Sequence, residues 1–420
     1  MSQETSLEGQ SVVNYGWRVV FAGLGINLAL GILYTWSVIS KGIPDEWGWS
    51  ESDKSWPYSV ACLVFCLTMV PAGRMQDKIG PRIVASIGGI LVGLGLLVAS
   101  FTTTCIGFVI GFGVLAGAGF GFGYASATPP AVKWFPPAKT GLIAGIVVSG
   151  FGLASVYAAP LAKWLMTAYS FQVMLVTLGV AFLIVVVGLA QLLRPPHAGY
   201  VAAGTPAVSK AAAAGIKEDF LPREMLGTGQ FYMLWFMYAC GAGAGLMIIA
   251  KLAAIASTQV GISLGFMLVA VLAIGNGGGR IIAGVLSDKI GRKATMFGCF
   301  VLQAVLILLL SRASADNIAG TVPMMIIVSM LIGANYGANL SLFPSITKDF
   351  YGTKNFGVNY GLVFTAWGVG GFMLAKLAGA MYDQYKTFEI AYYGASVLLV
   401  LAAIMVFFVK APHHRAAAGE

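Results

Sequence analysis

Charged residues are scarce in this chain. Only 10% of its 420 residues are Asp, Glu, Lys or Arg, whereas 58% are hydrophobic and the mean hydropathy is +0.84. Soluble domains carry about 25% charged residues, and a chain with so little charge would lack the polar surface that keeps a protein dispersed in water. The composition therefore excludes a cytosolic enzyme, a secreted disulfide scaffold, a disordered tail and a nucleic-acid-binding module.

Histidine and cysteine are also rare, and neither forms a recognisable site. The three histidines (His197, His413 and His414) fall outside every long apolar run. The five cysteines lie inside such runs, which is typical of buried free thiols. No histidine or carboxylate stands near Cys62 and Cys66 to complete a metal site. We therefore expect no metal, no cofactor and no catalytic residue. The acidic N-terminus lacks the basic segment that begins a cleavable signal peptide.

Long apolar runs dominate the sequence instead. A membrane-crossing helix takes about 20 apolar residues, and unbroken runs of this length favour helices over a transmembrane barrel. The linker-like stretch 194–228 divides the chain into an N-terminal six-helix bundle (1–193) and a C-terminal six-helix bundle (229–420). We predict an all-α integral membrane protein with twelve transmembrane helices, at 18–40, 56–75, 83–101, 105–131, 140–163, 171–193, 229–253, 261–286, 294–312, 318–345, 355–381 and 387–410.

Lys and Arg are distributed unevenly between the ends of the predicted helices. If both termini are cytoplasmic, 17 of the 25 basic residues lie on the cytoplasmic side and 7 on the outer side. Cytoplasmic loops carry such an excess, so we predict a multi-pass protein with both termini in the cytoplasm. The net charge of +9 then faces anionic lipid and not nucleic acid. Short loops favour a bacterial inner membrane, and we expect a functional monomer.

The two halves carry the same loop motif. Gly73-Arg-Met-Gln-Asp-Lys-Ile-Gly joins the second and third predicted helices, and Gly284-Val-Leu-Ser-Asp-Lys-Ile-Gly joins the eighth and ninth. Three glycines at 141, 145 and 152 also recur at 357, 361 and 368. Repetition in register indicates a mechanical role, in which the loop aspartate binds helix N-termini or a neighbouring arginine and holds the inner gate shut. The predicted inner-gate residues are Arg74, Asp77, Arg82, Asp288 and Arg292.

The repeated motif, the six-plus-six arrangement and the central linker resemble the major facilitator superfamily over nearly the whole chain. Three features resemble its monocarboxylate transporter and oxalate–formate exchanger group. They are Tyr15-Gly-Trp before the first helix, Met225-Leu-Gly-Thr-Gly-Gln-Phe-Tyr-Met-Leu-Trp at the seventh, and an arginine in the eighth, eight residues before the loop aspartate. The resemblance implies two bundles related by an axis along the membrane normal, a substrate site between them at mid-depth, and transport by alternating access.

Arg280 lies inside the eighth apolar run, about 12 Å from the loop aspartate at 1.5 Å per residue. A mid-membrane arginine costs about 2.5–3.5 kcal/mol on insertion scales and usually faces a cavity where it has a function. All 16 acidic residues lie in termini, loops or helix ends, so no internal acid is available to pair with it. A guanidinium binds a carboxylate through two parallel hydrogen bonds. We therefore predict that Arg280 binds an anionic substrate.

Polar residues at a similar depth predict a polar layer around Arg280. For each of them an interhelical hydrogen bond is the alternative role. The predicted lining residues are Asn276, Tyr124, Asn335, Tyr336, Tyr34 and Tyr360. Near the outer end of the eleventh helix, Lys376 and Asp383 have two interpretations. Lys376 either extends to the interface to keep its charge in water or forms, with Asp383, a proton-responsive outer gate.

The resemblance also narrows the substrate. Monocarboxylate transporters commonly carry an aspartate four residues before this arginine, where the chain has Asn276. They also carry a lysine in the first helix, where the chain reads Tyr34-Thr-Trp-Ser-Val. The resemblance to the oxalate–formate group implies a site with two cations, one of them a lysine in the eleventh helix. The nearest match to that lysine here is Trp367. One central cation suits one carboxylate, so the sequence favours a small monocarboxylate.

The sequence thus predicts a secondary active transporter of small monocarboxylates, of the lactate, pyruvate or acetate type, in symport with protons. No mid-membrane acid or histidine can carry the proton, so it either uses Lys376 or follows the bound anion. A carboxylate anion exchanger of the oxalate–formate type is the alternative. A membrane enzyme would need a nucleophile with a base, or metal ligands, in one layer, and the chain has no mid-membrane acid or histidine to supply them. A channel would lack the duplicated loops. Nothing in the sequence separates a carrier from a transporter-like sensor.

Overall fold

The computed structural model describes residues 3–5, 11–136, 139–197, 200, 202, 219–352 and 355–412. Within these ranges, twelve helices are long and apolar enough to cross a membrane. This confirms the predicted all-α integral membrane class. A short antiparallel pair of strands, β1 (Gln3–Thr5) and β2 (Ser11–Val13), precedes the helices, and the sequence did not predict it.

Six long helices form each half. The first, α1, is a composite of two α-helical segments joined by a 3₁₀ turn at Gly31–Thr35. In the N-terminal half the helices are α1 (Gly16–Lys41), α2 (Glu51–Ile79), α3 (Pro81–Ser100), α4 (Cys105–Val132), α5 (Thr140–Ala168) and α6 (Phe171–Ala190). In the C-terminal half they are α7 (Gly229–Thr258), α8 (Gly265–Ile290), α9 (Arg292–Ser311), α10 (Val322–Tyr351), α11 (Phe356–Tyr385) and α12 (Glu389–Phe408).

Several helices continue past the apolar runs that predict them. α2 begins at Glu51, five residues before the predicted start, because Ser50 caps it. The Ser50 hydroxyl accepts a hydrogen bond from the Asp53 N–H, and the Asp53 carboxylate accepts one from the Ser50 N–H, both at 3.1 Å. α7, α10 and α11 also run beyond their predicted ends. A hydrophobicity criterion does not detect polar turns at a helix end, so the sequence predicts these residues to lie outside the helices.

Helices pack within each half and across the boundary between halves. In the N-terminal half α3 packs on α6, α2 on α4 and α1 on α5; in the C-terminal half α8 packs on α10, α7 on α11 and α9 on α12. The two halves meet where α2 packs on α11 and α5 packs on α8. α8 and α10 are so close that a Cβ at Gly279 would collide with the Ala334 carbonyl, and one at Gly333 with the Leu272 carbonyl. Only glycine permits that approach.

The two ends of the molecule are named here by the linker. The linker end is where α6 ends and α7 begins, and the far end is where α1 ends and α2 begins. Much of the predicted linker (194–228) lies outside the described residues. Its first residues attach to the N-terminal half, where the Trp134 indole N–H donates to the Arg194 carbonyl at 2.7 Å. Its last residues attach to the C-terminal half, where the Phe220 N–H donates to the Tyr351 carbonyl at 3.1 Å.

Candidate functional site

Arg280 projects from α8 against α5 of the other half, and its residue is 8% exposed. Its Nε donates to Asn276 Oδ1 one turn away, and its Nη1 donates to the Val148 carbonyl of α5, both at 3.1 Å. Gly152 of α5 provides the space, since a Cβ there would lie 3.3 Å from the guanidinium. The arginine therefore bridges the two halves through the neutral carbonyl of Val148, and its second partner is a neutral amide of its own helix.

No carboxylate neutralises Arg280 within the described ranges. The ion pairs in these ranges all involve other cations. No described carboxylate oxygen lies within 4.0 Å of the Arg280 guanidinium. A buried charge is ordinarily paired with an opposite charge or bound to a ligand. The geometry therefore leaves the charge of Arg280 uncompensated by any described acid.

Asn276 supplies a second unused polar group beside the arginine. It is fully buried, its Oδ1 accepts from Arg280, and its Nδ2 has no hydrogen-bond partner in the part of the chain that the structure describes. A buried donor without a partner costs about 1–3 kcal/mol. An anion bound at Arg280 would bring acceptor oxygens close to this donor.

A hydrogen-bonded chain of aromatic side chains lies next to Arg280 and joins the halves. The Tyr34 hydroxyl of α1 shares a 2.5 Å hydrogen bond with the Tyr336 hydroxyl of α10. The Trp367 indole N–H of α11 donates to the same Tyr336 hydroxyl at 2.7 Å. All three side chains are buried, and both tyrosines lie close enough to Arg280 to interact electrostatically with it. These hydroxyls form one polar wall of the site.

Aromatic rings form the rest of the enclosure. Tyr124 of α4 interacts with the Arg280 guanidinium, and its ring meets Phe151 of α5 edge-on at 5.4 Å. Phe65 of α2 contacts Tyr124, Phe151, Phe364 and Trp367, with ring centroids 5.1–6.0 Å apart. The guanidinium thus interacts with Tyr124, which belongs to a cluster of aromatic rings from both halves. Such a site suits a ligand with one charged group and a small apolar part.

Two predicted lining residues lie at the margin of this enclosure. Tyr360 of α11 is half-buried, stacks on Phe356 and shares a 3.4 Å hydrogen bond with the Tyr238 hydroxyl of α7. Asn335 of α10 donates to the Leu331 carbonyl of its own helix at 2.9 Å. Among the described residues, no hydrogen bond joins Asn335 to Arg280 or to the tyrosines. Their roles in lining the site stay predictions.

Lys376 and Asp383 do not bind each other; both bind the N-terminus of α2. The Asp383 carboxylate accepts from the Glu51 N–H at 2.9 Å and from the Ser52 N–H at 2.7 Å. Lys376 donates to the Ser52 hydroxyl, and its Nζ lies 4.1 Å from the centre of the Trp56 ring. Two residues of the C-terminal half therefore hold a helix end of the N-terminal half at the far end.

The repeated loops at the linker end make ion pairs within their own halves. In the C-terminal half Arg292 binds Asp288 at 2.6 Å and Asp349 of α10 at 3.2 Å. In the N-terminal half Asp77 lies 3.9 Å from Lys133, and both side chains are exposed. Arg74 is exposed and Arg82 is half-buried. Among the described residues, no ion pair joins the two halves at this end. The inner-gate role of these residues stays a prediction.

The sequence reasoning missed the aromatic enclosure and a buried ion pair. Phe65, Phe151 and Phe364 look like ordinary membrane-helix residues, and no local signal marks them. Lys251 of α7 is one of the seven basic residues that the sequence places on the outer side, yet it is 2% exposed and pairs with Glu51 of α2. Its position inside the apolar stretch LMIIAKLAAIA was a usable signal, because a lysine so placed needs a partner or water.

The chain matches proteins of known family. The model of the Major Facilitator Superfamily matches residues 19–283 and 234–420. An oxalate:formate antiporter of Oxalobacter formigenes is 29% identical over 371 residues, 87% of this chain and 83% of that protein. Monocarboxylate transporter 11 of Mus musculus is 24% identical over 389 residues, 90% of this chain and 83% of that protein.

Solved structures agree with this family at the level of the fold. A bacterial homologue of the human lysosomal transporter Spinster, in an inward-facing and unoccupied conformation, superposes with a TM-score of 0.69. The two chains are 15% identical, and the match covers 95% of this chain and 97% of that one. Together with the twelve helices, these matches show that the chain belongs to the Major Facilitator Superfamily of membrane transporters.

Proposed function

We propose that this protein is a secondary active transporter that carries small monocarboxylates, of the lactate, pyruvate or acetate type, by alternating access in symport with protons. The observation that carries the proposal is Arg280, a buried cation between the halves with no described carboxylate partner. The substrate carboxylate takes the place of that missing partner. Asn276 Nδ2 gives it a further donor.

The walls of the site favour one carboxylate over two. Phe65, Phe364 and Trp367 pack against one another beside Tyr124, so the region around this tyrosine is aromatic and has no second described cation. A short apolar substrate tail is stabilised there by contact with the rings, whereas a second carboxylate would lose its hydration without gaining a partner. The predicted lining by Tyr34, Tyr124, Tyr336 and, at the margin, Tyr360 and Asn335 belongs to this proposal.

The contacts between halves support an alternating cycle. Hydrogen bonds join the two halves at the depth of Arg280 and at the far end. At the far end Lys376 donates to α2, and Asp383 accepts from the first N–H groups of α2. This arrangement is that of a carrier closed at the far end. With both termini in the cytoplasm of a bacterium, the far end is the outer side. Lys376 and Asp383 then belong to the outer gate, the loops with Arg74, Asp77, Arg82, Asp288 and Arg292 form the inner gate, and one chain suffices.

Uptake into proteoliposomes tests the proposal. Wild-type protein should accumulate radiolabelled lactate when an inward proton gradient is imposed on vesicles that contain no carboxylate. Arg280→Ala should abolish the accumulation. A matched variant, Arg312→Ala, removes an arginine from the far-end terminus of α9 and should retain it. Uptake by Arg280→Ala at the wild-type rate would refute the assignment.

An anion exchanger of the oxalate–formate type is the second candidate. It is favoured by the 29% identity to the oxalate:formate antiporter over most of both chains. The same vesicles separate the two, since an exchanger takes up labelled substrate only when counter-anion is preloaded and does not respond to the imposed pH gradient. Lactate accumulation in empty vesicles would exclude strict exchange.

A further inference from the structure

The far end contains a buried ion pair that joins the halves. Lys251 of α7 is 2% exposed, and its Nζ donates to Glu51 of α2, at 2.9 Å to Oε2 and at 2.8 Å to the main-chain carbonyl. α7 is covered on nearly every side, and almost all of its apolar residues are buried. Opening the far end moves α2 away from α7 and therefore separates this pair.

The two members of the pair depend on each other unequally. Glu51 has a second cation on its own helix, because Lys54 Nζ lies 3.2 Å from its Oε1, and its side chain is 18% exposed. Lys251 has no other carboxylate within 4.0 Å among the described residues. After separation Glu51 remains partly neutralised and hydrated. Lys251 would remain inside the C-terminal half without a hydrogen-bonded carboxylate, and among the described acids only Asp383 of the same half would still act on it electrostatically.

We propose that Glu51 and Lys251 form an electrostatic latch that keeps the far end closed, and that the buried lysine determines its strength. An unpaired buried charge is strongly destabilising, whereas replacing both members of a buried pair by uncharged groups is often neutral. The closed state is therefore held by the need of Lys251 for a carboxylate. This inference rests on the alternating-access part of the proposed function and is independent of the substrate.

Asp383 adds a second contact at the same place, in which the C-terminal half contributes a negative charge. It belongs to the C-terminal half and accepts hydrogen bonds from the first N–H groups of α2, a helix of 29 residues. Anions are stabilised at such helix N-termini. The C-terminal half thus offers a cation to the Glu51 side chain and an anion to the Glu51 backbone, so separation breaks both contacts at one residue.

The unequal dependence predicts an unequal response to substitution. Glu51→Gln keeps the shape of the glutamate and removes its charge, so Lys251 loses its counter-ion and the far end opens more often. Lys251→Met removes the charge that needs a partner, so opening no longer leaves an unpaired charge and the far end opens more often than in the wild type. Lys54 still neutralises Glu51, so the closed state holds no isolated buried charge and the far end opens less often than in Glu51→Gln. The double variant Glu51→Gln/Lys251→Met contains neither charge and should match Lys251→Met.

Alkylation of Cys62 reports the opening. Cys62 of α2 is fully buried in the interface with α11, where a Cβ at Gly371 would lie 3.3 Å from its Cβ. In a chain that retains Cys62 as its only cysteine, the rate of maleimide reaction is measured in detergent without any carboxylate. We expect Cys62 in Glu51→Gln to react at least about fivefold faster than in the unsubstituted chain, which keeps both Glu51 and Lys251. Lys251→Met and the double variant should react at similar rates, faster than the unsubstituted chain and slower than Glu51→Gln.

A second single-cysteine chain provides the control. Cys299 of α9 lies away from the boundary between the halves, so its rate should not change in any of the three latch variants. A general loss of folding would raise both rates and is recognised by the thermal unfolding midpoint. The latch is refuted if Glu51→Gln leaves the Cys62 rate unchanged. It is also refuted if Lys251→Met leaves the Cys62 rate unchanged, if Lys251→Met raises that rate as much as Glu51→Gln does, or if the double variant reacts as fast as Glu51→Gln. Because no substrate is present, these outcomes are separate from a failure of the carboxylate assignment.

Discussion

Two cations of the C-terminal half are buried at different depths, and their surroundings differ. Lys251, near the far end, binds the Glu51 carboxylate of the other half at 2.9 Å. Arg280, near the middle, binds an amide oxygen and a backbone carbonyl. Both cations cross the boundary between halves, yet only one has a protein counter-ion among the described residues. Burial alone therefore does not distinguish the two cations, and the proposed ligand site depends on the carboxylate that Arg280 lacks.

Giving Arg280 its own carboxylate should remove this difference between the two cations. In Asn276→Asp, an aspartate takes the position whose oxygen already accepts from Arg280 Nε at 3.1 Å. At neutral pH the new ion pair competes with the substrate, so lactate affinity should fall by about tenfold or more. Acidification protonates the new carboxylate and should restore binding. Titration calorimetry at two pH values measures both effects.

The control for that prediction is Asn276→Ala. It removes the oxygen partner of Arg280 without adding charge, so its loss of affinity should be smaller and independent of pH. If Asn276→Asp binds lactate as tightly as the wild type at neutral pH, an internal counter-ion does not compete with the substrate. The missing counter-ion would then not explain why Arg280, and not Lys251, binds substrate.

Adding a cation beside Arg280 should change the choice of substrate. Trp367→Lys replaces an aromatic wall residue by an ammonium group and gives the site two charges. Oxalate affinity should then rise relative to lactate affinity by about tenfold. Trp367→Leu, which removes the ring without adding charge, should weaken lactate binding and leave oxalate binding undetected. Competition binding with both anions provides the ratio, and an unchanged ratio in Trp367→Lys would contradict the aromatic-wall argument.

The hydroxyl chain should contribute less than the charges. Tyr336→Phe removes the group that binds both Tyr34 and Trp367. One neutral hydrogen bond contributes about 0.5–1.5 kcal/mol, so lactate affinity should fall by about threefold to tenfold. Tyr392→Phe makes the same change at a buried tyrosine of α12 that binds Gln259 and should leave affinity unaltered. Equal affinities for all three proteins would exclude the hydroxyl chain from the site.

A third, half-exposed cation should affect stability only. Arg292 pairs with Asp288 and Asp349 inside its own half. Partly exposed pairs contribute about 0–1 kcal/mol, so Arg292→Gln should lower the thermal midpoint by about 1–3 °C without changing lactate affinity. Asp77→Asn, at the exposed and longer Asp77–Lys133 pair, should shift the midpoint by less. A large affinity loss in Arg292→Gln would show that the linker-end loops act on the substrate site.

The sequence predicts the fold and the central cation for the same physical reason. Twelve helices follow from apolar runs because every backbone group in a bilayer must bond inside its own helix. Arg280 stands out because charge in such a run is costly, and because the positions of the acidic residues are visible in the sequence. Both inferences use one-dimensional information alone, and the structure contains the twelve predicted helices, several of them with longer ends.

The rest of the site depends on which helix faces meet. Glu51 and Lys251 are 200 positions apart and meet only because α2 packs on the C-terminal half. Phe65, Phe151 and Trp367 cannot be told from lipid-facing residues, since the twelve helices are apolar on all sides. Asn335 was grouped with the lining by depth alone, although its amide binds its own helix. Depth can be counted along a sequence, but facing directions require the packed structure.

Equilibrium binding to purified protein tests the central claim most directly. Lactate is titrated calorimetrically into the wild type, Arg280→Ala and Lys251→Met in detergent. The account predicts that Arg280→Ala loses binding by about 30-fold or more, because a charged partner is removed, and that Lys251→Met retains the wild-type affinity. Wild-type affinity in Arg280→Ala would contradict the account, as would a loss in Lys251→Met equal to that in Arg280→Ala.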